Sequence, residues 1–125
     1  MQLCANIRTS DAQRSSKPNL FFMDRIARIQ EMLEKQPDDA FLYHALGLEY
    51  LKNENQAEAE KKFIMSLEKN KDHVGTYYHL VNLLAKAGRT DEAIQWCEKG
   101  LPACKRVGDE HAWRELNTLY EDLIF

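Results

Sequence analysis

Residues 43–50 read YHALGLEY, residues 77–84 read YYHLVNLL, and residues 113–120 read WRELNTLY. Each octet carries large or apolar side chains at its first, fourth and eighth places. Its fifth place is of variable size. These places hold Tyr43, Leu46, Gly47 and Tyr50, then Tyr77, Leu80, Val81 and Leu84, then Trp113, Leu116, Asn117 and Tyr120. The second octet follows the first by 34 residues and the third follows the second by 36. Recurrence at such a period marks a stacked repeat, in which one unit cannot bury its own apolar face and its neighbours complete the core. At about 100° per residue, Tyr43, Leu46, Gly47 and Tyr50 fall on one side of a helix.

Outward from the octets, capping and turn residues delimit the helices. A helix is expected over about 39–53, with Pro37-Asp38-Asp39 opening it and a turn at Glu54-Asn55 closing it. A second runs over about 56–70. The next pair covers about 73–87 and 90–107, where Gly88 suits the left-handed closing residue and Thr90 with Asp91 suits the following cap. Gly108-Asp109 breaks the chain before a last helix over about 110–123. Upstream, Phe22, Ile26, Ile29 and Leu33 sit at helical spacing within 20–36, with Asn19 as the expected cap.

A shift of 34 also places Lys52 on Lys86, Glu58 on Glu92, Ala59 on Ala93, Leu67 on Leu101 and Lys71 on Lys105. The two additional residues before Trp113 are assigned to the 99–109 stretch. There Gly100 and Pro102 weaken a helix, because proline offers no N–H to the carbonyl one turn back. A kink or an early end is expected near them.

The chain resembles the tetratricopeptide repeat family over residues 40–120, with 23–37 as a preceding half-repeat. Tyr43, Leu46, Gly47 and Tyr50 match the family's first-helix pattern. Ala59, Phe63 and Ser66 match the small–large–small pattern of its second helix, and Pro37 matches the proline that starts a repeat. Lys71 and Lys105 stand where that proline is usual. Val81, Cys97 and Gly100 depart from the packing pattern in the second unit. The resemblance implies an all-α, right-handed superhelix of antiparallel helix pairs, about six helices in all. The expected divisions are an arm over 1–19, a half-repeat over 20–39, repeats over 40–73 and 74–109, and a C-terminal helix over 110–125. Gly47 and Ala59 are expected to bring their helices close, so leucine at position 47 should destabilise by about 1–3 kcal/mol.

If one face of each first helix packs, the opposite face lines an inner groove. That face carries Phe41, His44, Leu48 and Lys52, then Gly75, Tyr78, Asn82 and Lys86, then His111, Arg114, Thr118 and Asp122. By resemblance, this surface holds a peptide segment of a partner protein. Phe41, Leu48 and Tyr78 could anchor an apolar side chain, and Lys52, Lys86 and Arg114 could meet a carboxylate. The lysine and asparagine set with which some family members grip a chaperone's terminal carboxylate is absent, since the corresponding positions are His44, Leu48, His79, His111 and Glu115. Chaperone-tail binding is therefore not expected. The alternative function is self-association through the last helix, whose Trp113, Leu116, Leu119, Tyr120 and Leu123 run into Ile124-Phe125.

Composition narrows the remaining classes. A formal charge of -3 gives no global reason for a polyanion partner, and so short an array is ill suited to reading RNA base by base. No apolar run approaches the ~18 residues of a membrane span. Residues 1–19 pair Arg8, Arg14 and Lys17 with one acid, Asp11. They read as a mobile tail or as sequence upstream of a start at Met23, with a basic targeting peptide as the functional alternative. Cys4, Cys97 and Cys104 form no CxxC pair, which fits a reduced, cytoplasmic setting. Cys97 is expected to be a packed thiol. Cys104 and His111 lack a third and fourth ligand, so no metal is expected. His44 and His79 are expected as neighbours without a nucleophile or partner acid. Neither a cofactor nor catalysis is implied.

Overall fold

Asp39 and Asn55 each start a helix by turning a side-chain oxygen back onto free amides of the first turn. Asp39 accepts from the Phe41 amide at 2.9 Å, and Asn55 from the Glu58 amide at 3.3 Å. Gly88 (φ 79°) and Gly108 (φ 77°) end helices in the left-handed conformation that side chains resist. A computed structural model describes residues 17–125, with side chains from residue 25 onward. Among these residues the chain is all-α, with six helices and no strands. They are α1 (Lys17–Lys35), α2 (Ala40–Lys52), α3 (Gln56–Lys69), α4 (Gly75–Lys86), α5 (Thr90–Val107) and α6 (Glu110–Ile124).

Neighbouring helices in the chain pack on one another, and α6 also packs on α4. The repeat positions fill the centre: Phe63, Leu67, Tyr77, Leu80, Val81, Leu84, Cys97 and Leu116 belong to one buried cluster. In α1, Ile26 is buried and Ile29 and Leu33 are half-buried, as their spacing predicts. Phe22 lies outside the described side chains, and the expected arm lies outside the described residues up to 16.

The repeat extends to individual hydrogen bonds. The Tyr43 hydroxyl donates to the Pro37 carbonyl at 3.2 Å, and the Tyr77 hydroxyl donates to the Lys71 carbonyl at 2.6 Å. Pro37 and Lys71 are themselves 34 residues apart, so the same phenol closes the same turn in both units. In the third unit Trp113 has no hydroxyl, and the Lys105 ammonium lies 5.4 Å from its ring centre instead.

Four local expectations need correction. The helix α5 does not end early at Gly100 or Pro102, but runs 18 residues to Val107, against 14 for α3. Pro102 and Glu98 are both exposed, so water can take the carbonyl that Pro102 leaves unbonded. Gly100 is required by packing, since a Cβ there would stand 2.6 Å from Leu116 Cδ2 and 2.7 Å from Tyr77 Cγ. Thr90 is not the cap of α5. Arg89 occupies that place without a side-chain cap bond, and its guanidinium instead joins Glu60 on α3 (2.7 and 2.9 Å) to Glu92 (2.7 and 2.8 Å). Asn19 lies inside α1 rather than capping it. Pro18 stands in that first turn, where no amide needs an intrahelical partner. Finally, Gly47 makes room for the Phe63 ring rather than for Ala59: a Cβ at 47 would overlap ring carbons of Phe63.

Candidate functional site

Helix α2 brings His44 to the boundary between the first two units, and α4 brings His79 to the same place. Their ring centres are 5.4 Å apart. The connection between α3 and α4 adds His73, whose ring centre lies 5.0 Å from that of His44. Below them sits the fully buried Phe63, stacked on His79 at 5.8 Å with an interplanar angle of 16°. At the rim, Tyr78 meets His79 edge-on at 5.7 Å, and Phe41 lies 6.4 Å from His73 with 61% of its surface exposed.

One buried hydroxyl orders this cluster. Thr76 Oγ1 is 2.8 Å from His44 Nδ1 and 2.9 Å from His73 Nδ1. It is also 3.4 Å from Ser66 Oγ, whose own proton goes to the Ala40 carbonyl at 2.8 Å. Thr76 has one proton to give, so it cannot donate to both imidazoles. At least one of His44 and His73 must therefore carry its proton on Nδ1.

Burial holds the His44 and His79 imidazoles uncharged. His44 is brought down to about 4, first by burial and then by His73 and His79 nearby. His79 is lowered by burial against the opposing pull of Glu115. His44 and His79 thus present uncharged rings at neutral pH.

The other expected groove residues are distributed more widely. Leu48 is half-buried against the core, and Asn82 is half-buried on α4. Lys52 is held by Glu49 on its own helix at 3.4 Å. Glu49 is itself buried; its Oε2 also meets Arg25 at 3.4 Å, and its Oε1 has no partner. Gly75, Lys86 and Asp122 are exposed. On α6, His111 pairs with Glu115 at 3.3 Å, Arg114 with Glu110 at 3.7 Å, and the Thr118 hydroxyl donates to the Arg114 carbonyl at 2.9 Å. A separate cleft of about 530 Å³ opens where α5 meets α6, walled by Lys105, Trp113 and Arg114. Only Arg114 among the expected groove residues lines it. Sequence reasoning puts His44 beside His79 but misses His73, which the connection after α3 carries into the cluster, and Thr76, which stands in the first turn of α4.

Neither of the described thiols, Cys97 and Cys104, is poised for chemistry. Cys97 is pushed up to about 11 by burial and Glu98, and Cys104 is raised chiefly by burial. Among the described residues no group of three or more His, Cys, Asp or Glu side chains is arranged to hold a metal ion, the three imidazoles included. No described helix is long and apolar enough to cross a membrane.

No family model matches the chain, and no curated protein matches it. Solved structures do. A tetratricopeptide repeat domain protein from Salinibacter ruber is 34% identical, over 68% of this chain and 94% of that one, with a TM-score of 0.65. The chain belongs to the tetratricopeptide repeat family. The TPR2B domain of yeast Sti1, solved in complex with pHsp70, superposes with a TM-score of 0.75 over 94% of this chain and 97% of that one. At 16% identity that likeness speaks to the fold alone. A protein of Bordetella parapertussis is 25% identical over 79% of this chain and 86% of its own, with a TM-score of 0.66. The tetratricopeptide repeat assignment accounts for the 34-residue echo, including the departures at Val81, Cys97 and Gly100, all three of which are buried packing positions.

Proposed function

We propose that this tetratricopeptide repeat protein is a non-catalytic protein-binding module that holds a peptide segment of a partner along the inner faces of α2, α4 and α6. The observation that supports it best is Phe41, a large apolar side chain left 61% exposed beside the His73 ring. Exposed aromatic side chains next to a preformed aromatic surface are the usual anchors of a protein interface. The Sti1 domains solved with pHsp70 and pHSP90 support the same use of the fold. The partner segment carries apolar anchors, with acidic groups toward Lys52 and Lys86. The remaining groove residues are His44, Leu48, Tyr78, Asn82, His111, Arg114 and Thr118. The protein acts in the cytoplasm. The double substitution Lys52→Glu/Lys86→Glu, titrated against a captured partner, should weaken binding about tenfold or more, as two reversed charges imply. Undiminished binding would remove the groove from the account.

A second reading has its own observation. Phe125 is 98% exposed and Ile124 43% exposed, while Leu123 packs partly on the core. The end of α6 therefore does not fold over the array, and these three residues could meet a second copy. Sedimentation of the whole chain beside a version ending before Leu123 tests this. Self-association predicts a dimer that the truncation dissolves, and a monomer in both samples sets it aside.

A further inference from the structure

Most groove cations are already engaged, which leaves a question of ligand chemistry. Lys52 is paired with Glu49 and Arg114 with Glu110. Among the described residues, Glu115 acts on His79 against the effect of burial, and it lies 3.3 Å from His111. At the boundary between the first two units the surface consists of Phe41, His44, His73, Tyr78 and His79 over the buried Phe63. A carboxylate placed there would leave water for rings that burial keeps uncharged at His44 and His79, and would face Glu115.

The ring nitrogens complete the picture. Both nitrogens of His79, and the Nε2 atoms of His44 and His73, have no hydrogen-bond partner among the described residues. None of them is sealed from solvent. A neutral imidazole offers one donor and one acceptor. Because at least one of His44 and His73 holds its proton on Nδ1, at least one Nε2 is a free acceptor whenever that ring is neutral. The remaining nitrogens supply donors close by. Paired donors and acceptors at this spacing match an amide, either of the main chain or of an Asn or Gln side chain.

We propose that the cluster of Phe41, His44, His73, Tyr78 and His79 is a subsite for an uncharged segment of the bound peptide: an aromatic or large aliphatic side chain seated on the rings, with an adjacent amide on the imidazole edges. The proposal rests on the groove reading above and names what occupies its centre. Acidic groups of the partner, where present, lie outside this subsite, toward Lys52 and Lys86.

The test is a randomised peptide library displayed on phage and selected on the intact chain near neutral pH. The expected consensus has a Phe, Trp, Tyr or Leu flanked by Asn, Gln, Ser or Gly and no carboxylate at the anchor. A consensus whose anchor is Asp, Glu or a free C-terminus overturns the subsite while leaving the groove in place. No enrichment over an unrelated helical protein overturns both. An enriched peptide is then measured against two variants chosen to spare the fold. Phe41→Ala removes an exposed side chain, and His79→Phe retains the ring that stacks on Phe63 while removing both nitrogens. Each should weaken binding about tenfold with unchanged thermal stability, as expected for loss of an anchor or its polar partner. Peptide addition should also shift the His79 ring-nitrogen resonances. Affinity lost with Lys86→Glu but kept in both variants, with no His79 shift, also overturns the subsite.

Discussion

Replacing Gly47 by leucine should lower stability by about 3 kcal/mol, the upper end of what overpacking does, and the melting temperature by roughly 10–15 °C. The sign is not trivial, because leucine is the better helix former by about 0.8 kcal/mol. Packing outweighs that gain. A Cβ at 47 would stand 2.6 Å from Phe63 Cδ1 and 2.9 Å from Cζ, so a leucine cannot enter unless the ring leaves. The ring has nowhere to go. Phe63 is wholly buried, with His44 and His79 each 5.8 Å away on their ring centres. The pair should therefore be strongly coupled. Shrinking the ring with Phe63→Leu in the Gly47→Leu background should recover about 1 kcal/mol relative to the sum of the single changes. Thermal melts of the four proteins in this cycle decide it. Additive effects would mean the two residues do not share the space described.

Acid should destabilise the fold before any carboxylate is involved. His44 takes up its proton near 6.5 when unfolded but only at about 4 when folded. Between those values the unfolded chain holds more protons, so stability falls as pH falls; it is fully present above the unfolded value. That difference corresponds to about 3 kcal/mol, reduced toward about 2 because His44 is only partly buried. His79, lowered as well, adds in the same direction. Among the described residues, the titratable groups that meet the pair include His73 before α4, Tyr78 on α4 and Glu115 on α6, and α3 places Phe63 and Ser66 beside them. Urea midpoints from neutral pH down to about 4.5 should drop steadily, and His44→Gln should remove much of that slope. A flat profile over this window would show that His44 protonates freely in the folded state.

The helices were legible in the sequence because each obeys a rule that acts locally. Tyr43 and Tyr77 mark the period, Asp39 caps, Gly88 and Gly108 close, and observed boundaries fall within three residues of those expected. The misreadings share a cause, which is tertiary contact overriding local preference. Pro102 did not stop α5 because Gly100, two residues earlier, seats Tyr77 and Leu116 against the helix. Thr90 did not cap because Arg89 is held in that position by Glu60, 29 residues away. The site was less legible than the fold. Helical angles located Phe41, His44 and Tyr78 but could not include His73, which lies in the connection after α3 and outside any helical face. Its three-residue spacing from Thr76 was the available signal, and it gains meaning only once His44 is seen on the same hydroxyl.

The Ser66 hydroxyl donates into the first residue of α2 while touching Thr76 of α4, out of reach of solvent. Linear arrays commonly open from their ends, one unit at a time, because each unit answers only to its neighbours. Here a polar contact spans the joint between units, and opening either side strands a buried donor or acceptor on the other. The two central units should consequently exchange their amide hydrogens as one cooperative block, with fraying confined to α1 and the end of α6.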